Sequence, residues 1–506
     1  MSDIFLRIII CFKNELIYFW IGYENMKNGT KTVFLVIGAL LIILGLFMLI
    51  PYLVEITLGD KSHNFLFWSI FSIFIGYLLL ITNQTEEKNL NIKQAFMMTS
   101  FSWIAITLFA SFPLMFSSLK LSFTDAFFES MSGITTTGST ILDNIEMASK
   151  GVLIWRAILQ WLGGIGIVVM AITVLPLLNI GGMSLFKSEG AEFEKILPSS
   201  KEIAIVCTKI YFILTAICAL CFYFFGMEVF DAIAHSLTTI STGGFSTYSR
   251  SMGQFDSVEI EIVTIIFIIC GSIPFLTYLK FLKGEKAAFF NDSQIRGFIY
   301  FVLLSVVIVS IYCYFFVKAS LPHNIRESAF NVISIISGTG FTTQDFGTWG
   351  NFSLFFFLIL MFVGGCAAST TCGIKIFRFQ VLNLFIKKQI KQIIYPNGVF
   401  PIKYRGEIVE DTFLTSVLTF VFLYIFIFFL LTALLSLSNL DFTTAISAAA
   451  TSLSNVGPGL GEIIGPNGSF KYLPDLTKWY LSIAMLLGRL EFFTVLVLFL
   501  PSFWRN

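Results

Sequence analysis

The chain has 506 residues, of which 56% are hydrophobic and only 12% are charged, and its formal net charge is +1. Soluble domains carry about 25% charged residues, so this composition leaves too little polar surface to coat a water-soluble globule. It indicates a polytopic membrane protein, and the near-neutral charge gives no support for nucleic-acid binding.

The N-terminal stretch superficially resembles a signal peptide because it contains an apolar run. Arg7, Lys13 and Glu15 interrupt that run, and no small-residue cleavage site follows. We therefore predict a cytoplasmic amphipathic lead-in. The eight cysteines lie mostly in apolar segments and the three histidines are far apart in sequence. This pattern favours buried thiols and gives no zinc or haem motif.

Long apolar runs predict membrane-spanning helices along the whole chain. A span needs roughly 20 residues to cross about 30 Å of hydrocarbon, and the pattern predicts about ten of them. Their approximate bounds are 33–54, 65–83, 95–118, 152–180, 204–226, 258–283, 297–318, 352–376, 409–437 and 477–500.

A short polar tract recurs between these runs. The copies are "DAFFESMSGITTTGST" from Asp125, "DAIAHSLTTISTGGFST" from Asp231, "ESAFNVISIISGTGFTT" from Glu327 and "DFTTAISAAATSLSNVGPG" from Asp441. In the first three copies a glycine lies thirteen residues after the acid, but Gly457 lies sixteen after Asp441. The fourth copy is therefore irregular, and its spacing leaves the start of its short helix undetermined.

Each acid-led stretch is about a dozen residues long, too short to cross a membrane. It fits a half-helix that stops part-way, with the acid at the positive end of the helix dipole. Non-helical backbone at that depth must be buried in protein or line water. Four such ends would form a carbonyl ring for a dehydrated monovalent cation, with glycine supplying positive φ. A single copy is better explained as a helix-packing segment, but four copies favour the ring.

The repeats predict an all-α polytopic membrane protein. Four helix–pore-helix–filter–helix repeats, in a pseudo-four-fold arrangement, follow two additional N-terminal transmembrane helices. The predicted segments are 1–93 for the lead-in and the first two helices, then 94–203, 204–296, 297–408 and 409–506 for repeats 1 to 4.

Lysine and arginine predict the orientation, because cytoplasmic loops are enriched in them. Loops that follow the tracts, such as 342–351, have neither residue, so the tracts should open outward and both termini should be cytoplasmic. The basic linkers contain Lys280, Lys283, Lys286 and Arg296, and then Lys375, Arg378, Lys387, Lys388, Lys391, Lys403 and Arg405.

These motifs together resemble the Trk/Ktr/HKT superfamily of potassium transporters, most closely its TrkH type. "SGITTTGST", "STGGFST", "GTGFTT" and "NVGPGLG" are similar to the family's four filters, and "WRAILQWLGGIGIVV" and "LPLLNIGGMSLFKSEG" to its helix after the first filter. The resemblance covers nearly the whole chain. It implies potassium-binding filter positions at Thr136, Thr137, Gly138, Thr242, Gly243, Gly244, Thr339, Gly340, Asn455, Val456 and Gly457.

"FVGGCAASTTCGIKIFR" resembles the family's broken helix in the third unit, where an intramembrane loop below the filter acts as a gate. The sequence itself supports a break, because a run of glycine and small polar residues is a poor continuous helix. The alternative is a helix contact made by small residues. The implied gating positions are Gly364, Gly365, Ala367, Ala368, Ser369, Thr370, Thr371, Gly373 and Lys375.

"MLLGRLEFFT" resembles the fourth-unit helix whose arginine projects into the pore, and this role carries over to Arg489. An intramembrane arginine is costly and usually faces a cavity or a partner. The alternative is a structural ion pair with a pore-helix acid such as Glu129. "GSIPFLTYLK", by contrast, departs from the family pattern through its proline, and it predicts a kink in the second unit's inner helix.

The resemblance implies potassium uptake across the bacterial cytoplasmic membrane, by electrodiffusion or ion-coupled flow, and no enzymatic activity. It also implies a homodimer in membrane lipid, no cofactor apart from K⁺ as the transported ion, and a cytosolic nucleotide-binding regulatory subunit of the TrkA type. The sequence has no P-loop and no glycine-rich motif opening a helix after a strand, so nucleotide control would come from that partner.

The sequence argues against two other functional classes. A secondary carrier of another cation, coupled to Na⁺ or H⁺ and using a midplane site, would show inverted repeats, whereas these repeats run in one direction. An intramembrane enzyme would need clustered His, Asp or Glu within the spans, and the three separated histidines argue against it.

Overall fold

The computed structural model describes residues 2–59, 62–85, 91–173, 200–317, 320–405 and 407–504, with side chains from residue 30 onward except at 172, 173, 200 and 407. The stretch "LPLLNIGGMSLFKSEG" and the end of the predicted span 152–180 lie outside the described residues. Within them the protein is predominantly helical, and two short antiparallel strands, Lys403–Tyr404 and Glu407–Ile408, form its one sheet.

Two helices precede the repeats. The first runs over Ser2–Thr57, and its apolar part Thr30–Thr57 packs closely against Asn64–Thr82. The predicted helix over 33–54 therefore corresponds only to the apolar part of a longer helix. On the second helix Phe67, Ile70 and Phe74 are more than half exposed, as expected for side chains that face lipid.

Each repeat contains a long helix, a short helix and a second helix. The long first helices are Ile92–Met115, Ser200–Phe224, Ser293–Phe316 and Asp411–Ser436. The short helices are Phe123–Ile134, Val229–Ile240, Leu321–Ile336 and Phe442–Ser454. The third short helix has 16 residues against 12 in the first and second and 13 in the fourth.

The second helices differ most among the repeats, and only the first, Lys150–Thr173, is unbroken over its described length. The second repeat has Val258–Ser272 and Phe275–Leu282 at an angle of 91°, so the kink predicted at its proline is confirmed. In the fourth repeat, Asp475–Arg489 is followed by a bend of 110° to Phe493–Phe499.

The second helix of the third repeat ends after 12 residues, at Phe362. A non-helical segment, residues 363–375, separates it from the next helix, Ile376–Ile394. The predicted span 352–376 is therefore helical only in its first half. Among the described residues, seven helices are long and apolar enough to cross a membrane, and nine if each bent pair counts as one span.

Candidate functional site

The four short helices end in the same way. We name the segments around their C-termini tracts 1 to 4: residues 135–138, 241–244, 337–340 and 454–457. In each, the N–H of the third residue donates to a carbonyl five residues earlier, as for Thr137 to Ser132 at 2.8 Å and Gly243 to Thr238 at 2.9 Å. This Schellman-type bond requires a left-handed residue just before it. Those residues are Thr136, Thr242, Gly338 and Asn455, with φ of 53°, 50°, 70° and 54°.

The cap residues correct the expectation that the fourth copy is irregular. Asp441 caps the fourth short helix by accepting from Thr444 N at 3.0 Å, and Ser122 caps the first by accepting from Asp125 N at 3.1 Å. Asp441 therefore corresponds to Ser122 and not to Asp125. Counted from the cap residue, the first, second and fourth copies have the same spacing to the left-handed position.

The last residue of each tract is a glycine with positive φ. A Cβ atom built on it would lie less than 3.0 Å from the carbonyl oxygen of the residue that precedes the glycine in the next tract. The pairs follow chain order and close on themselves: Gly138 to Gly243, Gly244 to Thr339, Gly340 to Val456, and Gly457 to Thr137. The four tracts thus form one closed ring, in which only glycine has both the backbone conformation and the space required.

A cavity of about 520 Å³ lies at one end of the ring. All four ring glycines line it, together with the loops that follow the tracts. Asp143 stands in its wall and accepts hydrogen bonds from Lys471 Nζ at 2.8 Å and Tyr472 Oη at 2.9 Å. Burial acts to raise the pKa of Asp143, but the hydrogen bonds from Lys471, Ser469 and Tyr472 outweigh it, and the pKa is lowered from 3.8. The mouth of the cavity therefore keeps a carboxylate at neutral pH.

Polar side chains on the short helices hold the loops that leave the ring. Glu129 accepts from Ile141 N and Thr140 Oγ1, both at 2.9 Å. The corresponding residues of the second and third short helices are His235, which contacts Ser246 Oγ at 3.0 Å, and Asn331, which donates to Thr343 Oγ1 at 3.0 Å. The fourth helix has an alanine there, Ala448.

Glu129 forms a fully buried ion pair with Arg156, with Nε 2.7 Å from Oε1. The arginine also donates to Ser246 O at 3.2 Å and lies 4.1 Å above the Phe245 ring. Glu129 is therefore committed to Arg156, and the alternative that it pairs with Arg489 is wrong.

At the opposite end of the ring lies the non-helical segment 363–375 of the third repeat. Thr370 Oγ1 contacts Thr242 Oγ1 at 3.1 Å, so the segment touches the start of tract 2. The broken helix of the second repeat holds the segment from the side, because Thr370 N donates to Gly271 O and Cys366 N donates to Ser272 O. Within the segment Lys375 Nζ donates to Thr371, and Ala368 and Gly373 have positive φ.

Arg489 reaches this segment from the fourth repeat. Its guanidinium donates to Thr370 O at 3.0 Å, to Cys372 Sγ at 2.6 Å and to Gly163 O at 2.9 Å. The side chain is buried, at 2% exposure. It therefore joins the segment 363–375 to the second helices of the first and fourth repeats, and these three hydrogen bonds are all to uncharged groups.

Two oxygen atoms at the left-handed positions have no hydrogen-bond partner among the described residues. They are Thr136 Oγ1 and Asn455 Oδ1, and both are buried. Buried oxygens are normally hydrogen-bonded. These two lie beside the ring, where they are available to water or a cation.

The structure brings the predicted site residues into two adjacent layers, the ring and the segment 363–375 with Arg489. It also adds residues that the sequence did not single out. Gly338 takes the left-handed position of tract 3, and its match to Thr136 could have been found by aligning the tract ends. Arg156 and Gln160 lie behind the ring on the first repeat's second helix, within the quoted "WRAILQWLGG" motif. No group of three or more His, Cys, Asp or Glu suited to a metal occurs in the described residues.

Comparison with known proteins identifies the family. The family model for TrkH, described as a cation transport protein, matches residues 61–505. The Trk system potassium uptake protein TrkI of Halomonas elongata is 41% identical over 93% of this chain and 96% of its own length. TrkH of Escherichia coli K12 is 35% identical over 93% of this chain and 98% of its own.

The fold agrees with a solved structure. The crystal structure of the potassium transporter TrkH from Vibrio parahaemolyticus superimposes with a TM-score of 0.87 at 33% identity, covering 94% of this chain and all of that one. The predicted all-α polytopic fold is confirmed by this match, and the prediction that the chain is not an enzyme is confirmed by its relatives, which are transport proteins. The chain belongs to the TrkH family of cation transport proteins.

Proposed function

We propose that this protein takes up potassium across the bacterial cytoplasmic membrane, as the membrane subunit of a Trk-type system, and that the ring of four tracts is its selectivity filter. The observation that carries the proposal is the closed ring, in which each glycine faces the carbonyl oxygen of the next tract. The choice of potassium as the ion rests on the relatives, which are named as potassium uptake proteins and a potassium transporter.

The chemistry of the ring suits a dehydrated cation. Each tract has left-handed residues at its second and fourth positions and a residue with negative φ between them. This alternation turns successive carbonyls to one side, whereas an extended strand would alternate them. The four short helices end at the ring, so their partly negative C-termini converge on it. Carbonyl oxygens in such a ring replace the hydration shell of a monovalent cation.

The intramembrane segment 363–375 is the gate of this mechanism. It lies against the end of the ring opposite the cavity, and its contacts with Thr242 and Arg489 hold it there. A guanidinium carries its charge at any physiological pH. Arg489 therefore adds a fixed positive charge beside the pathway, which opposes the passage of cations while the segment is in place.

The arrangement in the membrane follows from charge. The cavity side of the ring faces outward and the basic linkers face the cytoplasm, with both termini inside. A homodimer and a cytosolic nucleotide-binding regulatory subunit of the TrkA type complete the proposed system. The basic helix Ile376–Ile394 directly follows the segment 363–375. A subunit bound to this helix would therefore be able to move the segment.

The test is flux in proteoliposomes with an imposed membrane potential and defined ion gradients. We expect uptake of rubidium and potassium and little uptake of sodium. Gly340→Ala should strongly reduce uptake, because its Cβ overlaps the carbonyl of Val456. Gly226→Ala is the matched control, because Gly226 also has positive φ, 101°, but has no neighbour within 4 Å of an added Cβ. Equal uptake in both variants would contradict the ring as the ion pathway.

The same assay addresses coupling, the alternative in which a Na⁺ or H⁺ gradient drives transport from a midplane site. Rubidium uptake driven by the potential alone indicates electrodiffusion. Uptake that requires an inward Na⁺ or H⁺ gradient at zero potential indicates a coupled carrier.

A further inference from the structure

The third position of the four tracts is not uniform. Tracts 1, 3 and 4 have Thr137, Thr339 and Val456 there, whereas tract 2 has Gly243. Unlike the ring glycines, Gly243 does not have positive φ, so its backbone conformation is open to any residue. Something other than conformation therefore accounts for the glycine.

That feature is Gln160, on the second helix of the first repeat. A Cβ atom built on Gly243 would lie within 3.0 Å of the Cδ, Oε1 and Cγ atoms of Gln160, and those are its three nearest neighbours. The glutamine amide therefore occupies the volume that the side chain of Thr137, Thr339 or Val456 takes up in the other tracts.

Gln160 also holds the backbone of tract 2 on both sides of Gly244. Its Nε2 donates to Gly243 O at 2.5 Å, and its Oε1 accepts from Phe245 N at 3.0 Å. Both groups are buried, so removing the amide would leave a carbonyl and an N–H without these partners. Arg156, one helical turn earlier, holds the next residue through Ser246 O.

The second and fourth repeats have no glutamine at the equivalent position. Gly163, Gly271 and Gly488 each lie against the last turn of their own short helix, at the carbonyls of Ile134, Ile240 and Leu453, and so mark equivalent points on the second helices. Three residues before them stand Gln160, Ile268 and Met485. A long polar residue on the helix thus occurs where the adjoining tract lacks a side chain.

We infer that Gln160 is a specificity-determining residue that stands in for the missing side chain of tract 2 and positions the Gly243 carbonyl in the ring. The inference rests on the proposed function. Because Gly243 O is the carbonyl that faces Gly138 across the boundary between tracts 1 and 2, its position sets one quarter of the ring. Ion discrimination should therefore depend on Gln160 although its side chain lies behind the ring.

The first test separates hydrogen bonding from volume. Gln160→Met keeps the length of the side chain and is compatible with a buried site, but it cannot donate to Gly243 O or accept from Phe245 N. We expect a normal yield and a loss of potassium-over-sodium preference of about tenfold, the scale of one lost hydrogen bond. The matched control is Gln94→Met, which removes another buried glutamine contact to a backbone N–H, that of Asn91, far along the chain from the tracts. The control should leave the preference unchanged.

The second test is an exchange of side chains. Gly243→Thr should abolish uptake because the new side chain overlaps Gln160, and Gln160→Ala should weaken both uptake and preference. The double variant gives tract 2 the side chain of tracts 1 and 3 and removes the obstacle. It should transport more rubidium than either single variant.

The outcomes divide clearly. Wild-type preference in Gln160→Met, or a double variant no better than its single variants, overturns the inference. A wild-type protein that does not discriminate potassium from sodium contradicts the proposed function instead. Yield and monodispersity of every variant are measured alongside, and the preference of Gln160→Met decides the question if the exchange variants fail to fold.

Discussion

The ammonium of Lys478 lies 2.5 Å from Asp125 Oδ1, and these two residues join the second helix of the fourth repeat to the short helix of the first. The lysine is almost fully buried, with 4% of its side chain exposed, whereas the aspartate is 20% exposed. Together with the contact from Gly457 to tract 1, this ion pair closes the ring between the last and the first repeat.

Breaking that contact should destabilise the closed ring. Lys478→Met removes the donor and leaves Asp125 partly buried. We therefore expect the free energy of unfolding to fall by about 2 kcal/mol, which is typical of a hydrogen bond to a charged group. Thermal unfolding in detergent measures it. Lys471→Met is the control, because Lys471 is 54% exposed and pairs with Asp143 at the surface, where such pairs contribute about 0–1 kcal/mol. Equal effects of the two substitutions would contradict the assigned closure role.

Gly138→Ser should weaken ion discrimination. The serine must adopt a φ near 86°, and its Cβ would meet the carbonyl of Gly243, so tracts 1 and 2 must separate or turn. We expect the ratio of rubidium to sodium uptake to fall about tenfold or more, equivalent to roughly 1.4 kcal/mol of lost discrimination. A ratio equal to that of the unmodified protein would remove Gly138 from the filter.

Arg489→Ala should increase potassium flux. The substitution removes the donors to Thr370, Cys372 and Gly163, and with them both the fixed charge and the attachment of the segment 363–375. Selectivity should be nearly unchanged, because the three acceptors of this side chain lie outside the ring. Arg489→Lys keeps the charge with fewer donors and should give intermediate flux. Rubidium uptake and detergent-solubilised yield are measured together, and normal yield with unchanged or lower uptake would rule out the gating role.

The contact at the mouth of the cavity should depend on pH in a defined direction. The pKa of Asp143 is lowered from 3.8 in the folded protein, so its carboxylate stabilises the fold above that value, and the contribution is lost as pH falls through the folded pKa. Asp143→Asn should therefore lower the melting temperature at pH 7, and the difference from the unmodified protein should shrink below about pH 3.8. A difference in melting temperature that stays constant between pH 7 and pH 3 would mean that the ionised Asp143 carboxylate does not contribute to stability.

The sequence was sufficient to predict the features that repeat. Glycines at matching distances from an acid located the first three tracts, and the proline of "GSIPF" located the bend of the second repeat. These signals are local, because a left-handed glycine or a proline restricts the backbone wherever it occurs.

The contacts behind the ring were not predicted, because they depend on how distant segments pack. Nothing in the sequence around Glu129 indicates Arg156 as its partner, and the alternative that paired it with Arg489 proved wrong. The register of the fourth copy was also missed, because Asp441 caps its helix whereas the acid it was aligned with, Asp125, lies three residues inside its own. Which acid is the cap is decided by the folded backbone and not by the spacing alone.

The closure between the fourth and first repeats has a consequence for biogenesis. Phe470 N donates to Thr140 O, and Lys478 pairs with Asp125, so the residues that complete the ring are separated by more than 300 positions in the chain. Contacts so distant in sequence form late and at a high cost in chain entropy. While the chain is being synthesised and inserted, the ring should consist of three tracts only, and it is completed when the last helices enter the bilayer. Before its final segment is inserted, the nascent protein should therefore have no selective ion pathway. In the same interval it should be most sensitive to quality-control proteases.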